Sequence, residues 1–209
     1  MSTRQETVVL VHGLYVHGLW MCLLESWLEQ SGYRTVNYSY PTMTRSPAEN
    51  AATLQGLLER VDTPVVHFLA HSMGGFVVRY LFHDHPKQKP GRVVTLGTPH
   101  QGSYAARIMR DLGLDFCVGR GLEGGLLGDA PTWTAPNQLG SIAGTLNIGF
   151  GLLFPAMPEP SDGLIAVVET QLSGMVDHIC LPVSHMQMLV YPTAMAQAGA
   201  FFATGRFRH

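Results

Sequence analysis

Short runs of consecutive apolar residues alternate along this chain with segments whose apolar residues recur at helical spacing. The run at residues 7–11 is continuous, as expected of a strand buried on both faces. Further strands are predicted at 34–40, 64–70, 92–96 and 176–181, with helices between them, among them 73–85, 103–112 and 193–202. This alternation is typical of a parallel sheet that is covered by helices on both faces. We therefore predict an α/β fold.

Residues 113–151 differ in character from the rest of the chain. Six glycines fall between residues 113 and 128, and Pro131, Trp133 and Pro136 follow them. A stretch of this composition cannot bury a core of its own, so it predicts an insertion and not a second domain. We accordingly expect residues 1–209 to form one domain, in which residues 141–150 return to the sheet.

Composition excludes one broad functional class. Hydrophobic residues make up 46% of the 209 residues and charged residues only 13%, which suits a compact enzyme with a large buried sheet. The formal net charge is −2, and no basic run occurs anywhere. Because a nucleic-acid-binding protein normally carries a basic patch, we expect no nucleic-acid partner.

The cysteines and the N-terminus bear on cellular location. Cys22, Cys117 and Cys180 are odd in number and widely spaced, which fits neither a disulfide framework nor a zinc site. We interpret them as buried free thiols in a reducing compartment. No basic segment followed by an apolar one begins the chain, and no apolar stretch is long enough to span a bilayer. The expectation is a cytoplasmic protein without a transmembrane segment.

The strongest chemical signal lies between the predicted strand at 64–70 and the helix that follows it. This junction reads Ala70-His71-Ser72-Met73-Gly74-Gly75. A serine hydroxyl is a weak nucleophile until a sharp turn presents it and a base activates it. A tight strand-to-helix turn leaves room only for small neighbours, and Ala70 and Gly74 meet that need. The helix N-terminus also favours negative charge that develops beside Ser72. We predict that Ser72 is a nucleophile.

On this motif the chain resembles the α/β-hydrolase superfamily, and within it the small bacterial lipases and esterases that share an Ala-His-Ser-Met-Gly-Gly turn. His12-Gly13-Leu14 directly follows the first strand. Acyl transfer builds an oxyanion, to which two backbone N–H groups must already point. The resemblance implies that the residue after His-Gly and the residue after the nucleophile supply them. These residues are Leu14 and Met73.

Ten histidines are candidates for the base. The chain order of the family is serine, acid, histidine, and it implies His185, which follows the last predicted strand. His71 neighbours the nucleophile but is expected to point away from the position of the base, because adjacent residues diverge in a turn. His67 lies in a strand and is interpreted as structural. His83, His85, His178 and His209 are interpreted as solvated or structural.

The acid should lie between Ser72 and the histidine in sequence. Asp162 is the best candidate, since Ser-Asp-Gly-Leu-Ile at 161–165 matches the acid loop of the lipases that the chain resembles. Its role would be to orient the imidazole and stabilise its charged form. Glu169 and Asp177 remain alternatives, although Asp177 begins a strand and is more simply a solvated boundary residue.

Two other histidines lie on predicted active-site loops. His17 follows the first strand, and His100 belongs to Gly-Thr-Pro-His-Gln-Gly-Ser at 97–103, a segment that also recurs in lipases and esterases. We expect both to contact substrate, while the segment itself is a turn with a fixed φ at Pro99 and a helix cap at Ser103. No metal-ligand spacing and no dinucleotide or phosphate loop is present, so no metal or cofactor is expected.

These observations predict a serine hydrolase of small-molecule or lipid esters, acting through an acyl-enzyme intermediate. An acyltransferase, thioesterase or amidase on the same scaffold is one alternative, because fold and catalytic residues fix neither acceptor nor leaving group. A non-catalytic binding protein that retains the fold is another.

The large apolar residues within 113–151 suggest a cap over Ser72 that accepts an acyl chain, and the glycines of this stretch would make the cap mobile. An equally good alternative is that the stretch forms passive surface loops. Substrate and oligomeric state are left open.

Overall fold

A six-stranded parallel sheet forms the centre of the protein. The computed structural model describes residues 5–16, 18–149 and 156–209. Its strands are β1 (Glu6–Val11), β2 (Arg34–Tyr38), β3 (Val65–His71), β4 (Val93–Leu96), β5 (Leu139–Gly144) and β6 (Asp177–Leu181). The strand order is β2-β1-β3-β4-β5-β6, and every neighbouring pair is parallel. The predicted fold class is confirmed.

Five α-helices occur in the described ranges, four between strands and the last after β6: α1 (Cys22–Gln30), α2 (Pro47–Leu58), α3 (Gly74–Asp84), α4 (Tyr104–Asp111) and α5 (Pro192–Thr204). Local sequence explains where two of them begin. Ser46 accepts a hydrogen bond from the Glu49 N–H, and the Glu49 carboxylate accepts one from the Ser46 N–H, which forms the capping box at the start of α2. The Ser103 side chain caps α4 through the Ala106 N–H.

Two apolar layers cover the two faces of the sheet. Successive strand residues point to opposite faces, so Val9 and Val11 pack with α2 and α3, whereas Val8 and Leu10 pack with α1 and α5. The first layer also contains apolar residues from the stretch after α4, namely Val118, Leu126 and Trp133. No helix in the described ranges is both long and apolar enough to cross a membrane.

Two expectations from the sequence are wrong in detail. The fifth strand is Leu139–Gly144 and does not extend over residues 145–149, because the chain leaves the sheet once it has paired with β6. Residue 150 of the predicted span lies outside the described residues. The cysteines are free but not buried, since Cys22 and Cys180 are exposed and Cys117 is half-buried. Cys22 lies off the α1 face that buries Leu24 and Leu28, and Cys180 belongs to an edge strand.

The topology determines where chemistry can occur. Because all strands are parallel, the loops that leave their carboxyl ends meet along one edge of the sheet, where ligands bind in folds of this type. His12 and Ser72 lie directly after β1 and β3, and Thr98 lies two residues after the end of β4. Asp162 follows β5, and His185 follows β6.

Candidate active site

Ser72 lies in a strained turn between β3 and α3. Its φ is +54°, and within the described ranges only Tyr15 shares a positive φ among residues other than glycine. Such a conformation costs on the order of 1 kcal/mol or more and persists only where its surroundings hold it. Ser72 N–H donates to the Leu96 carbonyl at 2.8 Å, and Thr98 Oγ1 donates to the Ser72 carbonyl at 2.8 Å. These two hydrogen bonds therefore fix the Ser72 turn to the end of β4 and the residues that follow it.

Close packing explains the glycines around this turn. A β-carbon added at Gly74 would lie 2.3 Å from the carbonyl oxygen of Val11, and one at Gly75 would lie 2.4 Å from Thr98 Oγ1. One added at Gly13 would lie 2.7 Å from the Cβ of Ser72. The His12-Gly13-Leu14 loop thus lies directly against the serine because neither partner carries a bulky side chain at the contact.

His185 and Asp162 form a buried pair. His185 Nδ1 lies 2.7 Å from Asp162 Oδ2, and the two residues are 7% and 0% exposed. The other carboxylate oxygen of Asp162 accepts hydrogen bonds from the N–H groups of Leu164 at 3.0 Å and Ile165 at 2.7 Å. The His185 N–H donates to the Asp162 carbonyl at 2.9 Å. These bonds fix the orientation of both side chains and leave Nε2 of the imidazole as its free nitrogen.

Gly97 brings this pair close to the serine turn. A β-carbon at Gly97 would lie 3.0 Å from His185 Nδ1 and 3.1 Å from Asp162 Oδ2, so the chain after β4 passes directly beside both groups. The next residue, Thr98, donates the hydrogen bond to the Ser72 carbonyl. Within the described part of the chain no direct hydrogen bond joins Ser72 to His185. Catalytic hydrogen bonds of this kind often tighten only when substrate binds.

The two predicted oxyanion donors flank Ser72. Met73 follows the serine and precedes the first turn of α3, while Leu14 lies in a turn that the Val16 N–H closes onto the Gly13 carbonyl at 3.2 Å. Neither the Leu14 nor the Met73 N–H donates a hydrogen bond to another group of the described chain. Both donors are therefore available to a ligand.

His71 differs from its predicted orientation. Its ring packs against the ring of His185, with centroids 4.7 Å apart, and its Nε2 lies 3.1 Å from the His185 carbonyl oxygen. A carbonyl only accepts, so Nε2 carries the proton. Burial and the neighbouring His185 hold the pKa of His71 well below its ordinary value, which keeps the ring neutral. Sequence reasoning missed this contact because it joins residues 114 positions apart.

Of the two histidines that we expect to contact substrate, one lies within the described residues. His17 lies outside the described residues. His100 is only 3% exposed; its Nε2 pairs with Thr95 Oγ1 at 3.1 Å, and its carbonyl accepts from Arg79. Burial, followed by the charge of Arg79, holds the pKa of His100 well below its ordinary value. The Gly-Thr-Pro-His turn carries this side chain into the interior, and the expected contact of His100 with substrate stays a prediction.

The alternative acids lie in other environments. Glu169 accepts hydrogen bonds from the N–H groups of Ala166 and Tyr104, at the start of α4, and burial raises its pKa. Asp177 accepts from the Phe207 N–H and lies beside the C-terminal residue. Within the described ranges neither carboxylate is hydrogen-bonded to a histidine of the site.

Arg79 is a residue that sequence reasoning overlooked. Its guanidinium, only 5% exposed, donates to the carbonyls of His100 at 2.8 Å, Ala130 at 3.0 Å and Pro131 at 2.6 Å. Burial lowers its pKa to about 10. Because the side chain joins α3 to both the Gly-Thr-Pro-His turn and the chain before β5, it fixes two segments against the helix that begins beside Ser72.

Part of the predicted insertion, residues 121–125, packs closely on α3 and on Met73 before it. β-carbons added at Gly121 and Gly125 would lie 2.6 Å from Met73 Sδ and from the Phe76 ring. One at Gly124 would lie 2.1 Å from the Tyr80 hydroxyl oxygen. These three glycines thus permit close approach, a different role from the mobility we expected of them. Whether the stretch caps the site stays a prediction.

No group of three or more metal-binding side chains occurs in the described ranges.

A family model described as "Domain of unknown function (DUF7379)" matches residues 2–112, which is more than half of the chain. The chain belongs to this family. The matched part of this DUF7379 protein contains the serine turn and the His12-Gly13-Leu14 loop, whereas Asp162 and His185 follow it. No curated protein matches the sequence.

Solved structures share the fold of this DUF7379 protein at low sequence identity. The mature form of Bacillus licheniformis lipase BlEst2 is 19% identical, with a TM-score of 0.70 over 94% of this chain and 90% of that one. A hydrolase from Pseudomonas aeruginosa PA01 is 16% identical, with a TM-score of 0.66 over 95% and 90% of the two chains. A carboxylesterase structure from the thaumarchaeon Nitrososphaera gargenis is 14% identical, with a TM-score of 0.64 over 97% and 91%. The fold is that of the α/β-hydrolases.

Proposed function

We propose that this protein hydrolyses carboxylic esters, with Ser72 as nucleophile, His185 as general base and Asp162 as the acid that orients it. One observation carries the proposal. A serine in a strained turn at the carboxyl edge of the sheet shares that edge with a buried histidine–aspartate pair whose nitrogen and oxygen lie 2.7 Å apart. Structural strain at one serine together with a pre-oriented base is the arrangement that activates a hydroxyl.

Acylation is the first half of the reaction. Ser72 Oγ attacks the ester carbonyl carbon while its proton moves to Nε2 of His185, the nitrogen that Asp162 does not engage. The carboxylate of Asp162 stabilises the imidazolium that forms. The carbonyl oxygen becomes an oxyanion, which accepts hydrogen bonds from the Leu14 and Met73 N–H groups. Collapse of this intermediate expels the alcohol, which takes the proton from His185, and leaves an acyl group on Ser72.

Deacylation repeats the steps with water as the nucleophile. His185 removes a proton from water, the resulting hydroxyl adds to the acyl carbon, and the same two N–H groups bind the second oxyanion. Collapse returns the proton to Ser72 and releases the carboxylic acid. The overall reaction consumes one ester and one water and yields one acid and one alcohol, so the chemistry described here needs only these side chains and backbone groups.

A set of chromogenic esters tests the proposal. Purified wild-type protein should hydrolyse some member of a p-nitrophenyl series from acetyl to palmitoyl, and Ser72→Ala should lower turnover at least about 10³-fold with an unchanged circular dichroism spectrum. Ser31→Ala, at an exposed serine that caps the end of α1, is the matched control and should retain wild-type activity. Substantial hydrolysis by pure Ser72→Ala protein would overturn the assignment of the nucleophile.

The same series identifies the acyl chain that the site prefers. Parallel thioester and anilide substrates of the preferred acyl group compare leaving groups, and an added alcohol tests transfer in competition with water. Faster turnover of the thioester, the anilide or the alcohol acceptor than of the ester with water would replace the proposed reaction with one of its scaffold alternatives.

A further inference from the structure

Tyr15 has a backbone conformation that needs external support. Its φ of +57° lies in the left-handed region, which tyrosine rarely adopts. It occupies the turn that the Val16 N–H closes onto the Gly13 carbonyl, and it directly follows Leu14. Reversion of Tyr15 to an ordinary negative φ would rotate the Leu14–Tyr15 peptide and shift the Leu14 backbone relative to Ser72. Tyr15 therefore shares one short turn with Gly13, at which an added β-carbon would lie 2.7 Å from the Cβ of Ser72.

The phenol of Tyr15 supplies a long-range contact. Its hydroxyl donates a hydrogen bond to the carbonyl oxygen of Cys117, 102 positions along the chain. The side chain is 60% exposed, so burial of its ring contributes little to holding the turn. The hydrogen bond to Cys117 thus ties the loop after β1 to the stretch after α4.

The residues that follow Cys117 pack against the chain around the start of α2. Val118 is only 3% exposed, and a β-carbon at Gly119 would lie 2.5 Å from the Met43 carbonyl oxygen. The Arg120 N–H donates to that same Met43 carbonyl at 3.0 Å. The Arg120 guanidinium pairs with carboxylate oxygens of Glu49 at 2.6 Å and Glu123 at 2.9 Å. These contacts anchor the segment to the start of α2.

We propose that Tyr15 is a positioning residue that holds the Leu14 N–H toward the oxyanion through its bond to Cys117. The inference rests on the proposed function, because it assigns the support of one oxyanion donor in that reaction. It also gives the stretch after α4 a role in catalysis without direct contact with substrate.

Kinetics of Tyr15→Phe test the inference, because this change removes the hydroxyl and keeps the ring. We expect kcat on the preferred p-nitrophenyl ester to fall about tenfold, less than the full loss of an oxyanion donor, while KM changes less than about twofold. The inhibition constant of an alkyl boronic acid, which forms a tetrahedral adduct on a serine, should rise by a similar factor. Tyr191→Phe, at the residue that precedes the first turn of α5, is the control and should match wild type.

A double-mutant cycle with Arg120→Ala separates positioning from general loosening of the fold. Arg120→Ala should lower kcat about threefold in wild type and cause no further loss in Tyr15→Phe, because both changes act on one tether. Should Tyr15→Phe unfold, the roughly threefold loss expected of Arg120→Ala alone keeps the inference testable, and wild-type kcat in that variant would overturn it. Independent effects of the two changes, or wild-type kcat and boronate affinity in Tyr15→Phe, would overturn the inference. An inactive wild-type protein would instead overturn the proposed function.

Discussion

The imidazole of His71 lies against that of His185, with ring centroids 4.7 Å apart and ring planes inclined by 47°. The Nε2–H of His71 points to the His185 carbonyl, while Asp162 holds the other side of the same residue through Nδ1. His185, the proposed base, is thus held on its backbone and on its side chain by two buried neighbours. His71 follows from this geometry as a residue that would position the proposed base, although its side chain has no place in the proposed reaction.

Replacing His71 tests this support. In His71→Leu the donor to the His185 carbonyl is lost while the volume of the side chain is roughly kept, so the base shifts relative to Ser72. We expect kcat to fall about tenfold or more, since small misplacements of reacting groups have large effects on rate. Steady-state kinetics and thermal unfolding measure the two consequences separately. His83→Leu, at an exposed position of α3, is the control; equal kinetics for the two variants would show that the ring contact is irrelevant to turnover.

Two glycine-to-alanine changes compare a crowded position with an open one. A β-carbon at Gly74 would lie 2.3 Å from the Val11 carbonyl oxygen and 2.7 Å from that of His12, whereas one at Gly56 in α2 would meet nothing within 4 Å. We expect Gly74→Ala to lower the free energy of unfolding by about 2 kcal/mol or more and to abolish hydrolysis. Gly56→Ala should raise it by about 0.5–1 kcal/mol, because alanine is the better helix former. Urea unfolding gives both values, and a tolerated Gly74→Ala would refute the packing described for the serine turn.

The assignment of the acid predicts a ranking of three variants. Asp162→Asn should lower kcat by about 10³-fold or more, because the amide no longer stabilises the imidazolium of His185. Glu169→Gln should act mainly on stability through the lost bonds at the start of α4, and Asp177→Asn should lower kcat less than about tenfold. Initial rates and melting temperatures of all three decide the ranking. Near-normal kinetics for Asp162→Asn together with an inactive but folded Glu169→Gln would transfer the role to Glu169.

Buried neutral histidines predict loss of stability in mild acid. Burial holds the pKa of His71 and of His100 well below 6.5, so below pH 6.5 the unfolded chain binds more protons than the folded one. Stability therefore falls as pH drops through 6.5, by up to about 1.4 kcal/mol per pH unit for each histidine. The raised pKa of Glu169 acts in the opposite direction nearer to pH 4.5.

Urea unfolding between about pH 7 and about pH 5 measures this slope. His100→Gln should show a shallower dependence than wild type because one of the histidines with a depressed pKa is gone. His83→Gln, at an exposed histidine, should retain the slope of wild type. Parallel slopes for His100→Gln and wild type would contradict a neutral buried His100.

Sequence was most informative where a local pattern suffices to determine structure. The continuous apolar runs predicted β1 and β3, and the cap residue Ser103 predicted the start of α4. β5 was placed two residues late and too long, because Gly140 and Gly144 interrupt its apolar pattern. Both glycines are explained by distant partners, since added β-carbons would lie 2.5 Å from the Phe201 ring and 2.4 Å from the Val183 carbonyl oxygen.

The residues of the candidate site also divide into those that a local pattern predicts and those that depend on distant partners. Motif and chain order singled out Ser72, Asp162 and His185, which the topology then places along one edge of the sheet. The supporting contacts of His71, Arg79 and Tyr15 join segments far apart in sequence, and no local pattern encodes them. The burial of His100 escaped prediction for the same reason, because its turn resembles a surface loop until the fold buries it beside Arg79.

Labelling with a fluorophosphonate tests the central claim most directly, because the reagent reacts covalently only with an activated nucleophile. Wild-type protein, digested and analysed by mass spectrometry, should carry a single adduct on the peptide that contains Ser72. Ser72→Ala should carry none, and Asp162→Asn should react much more slowly. Folded wild-type protein that remains unlabelled, or that carries the adduct on another residue, would contradict the account.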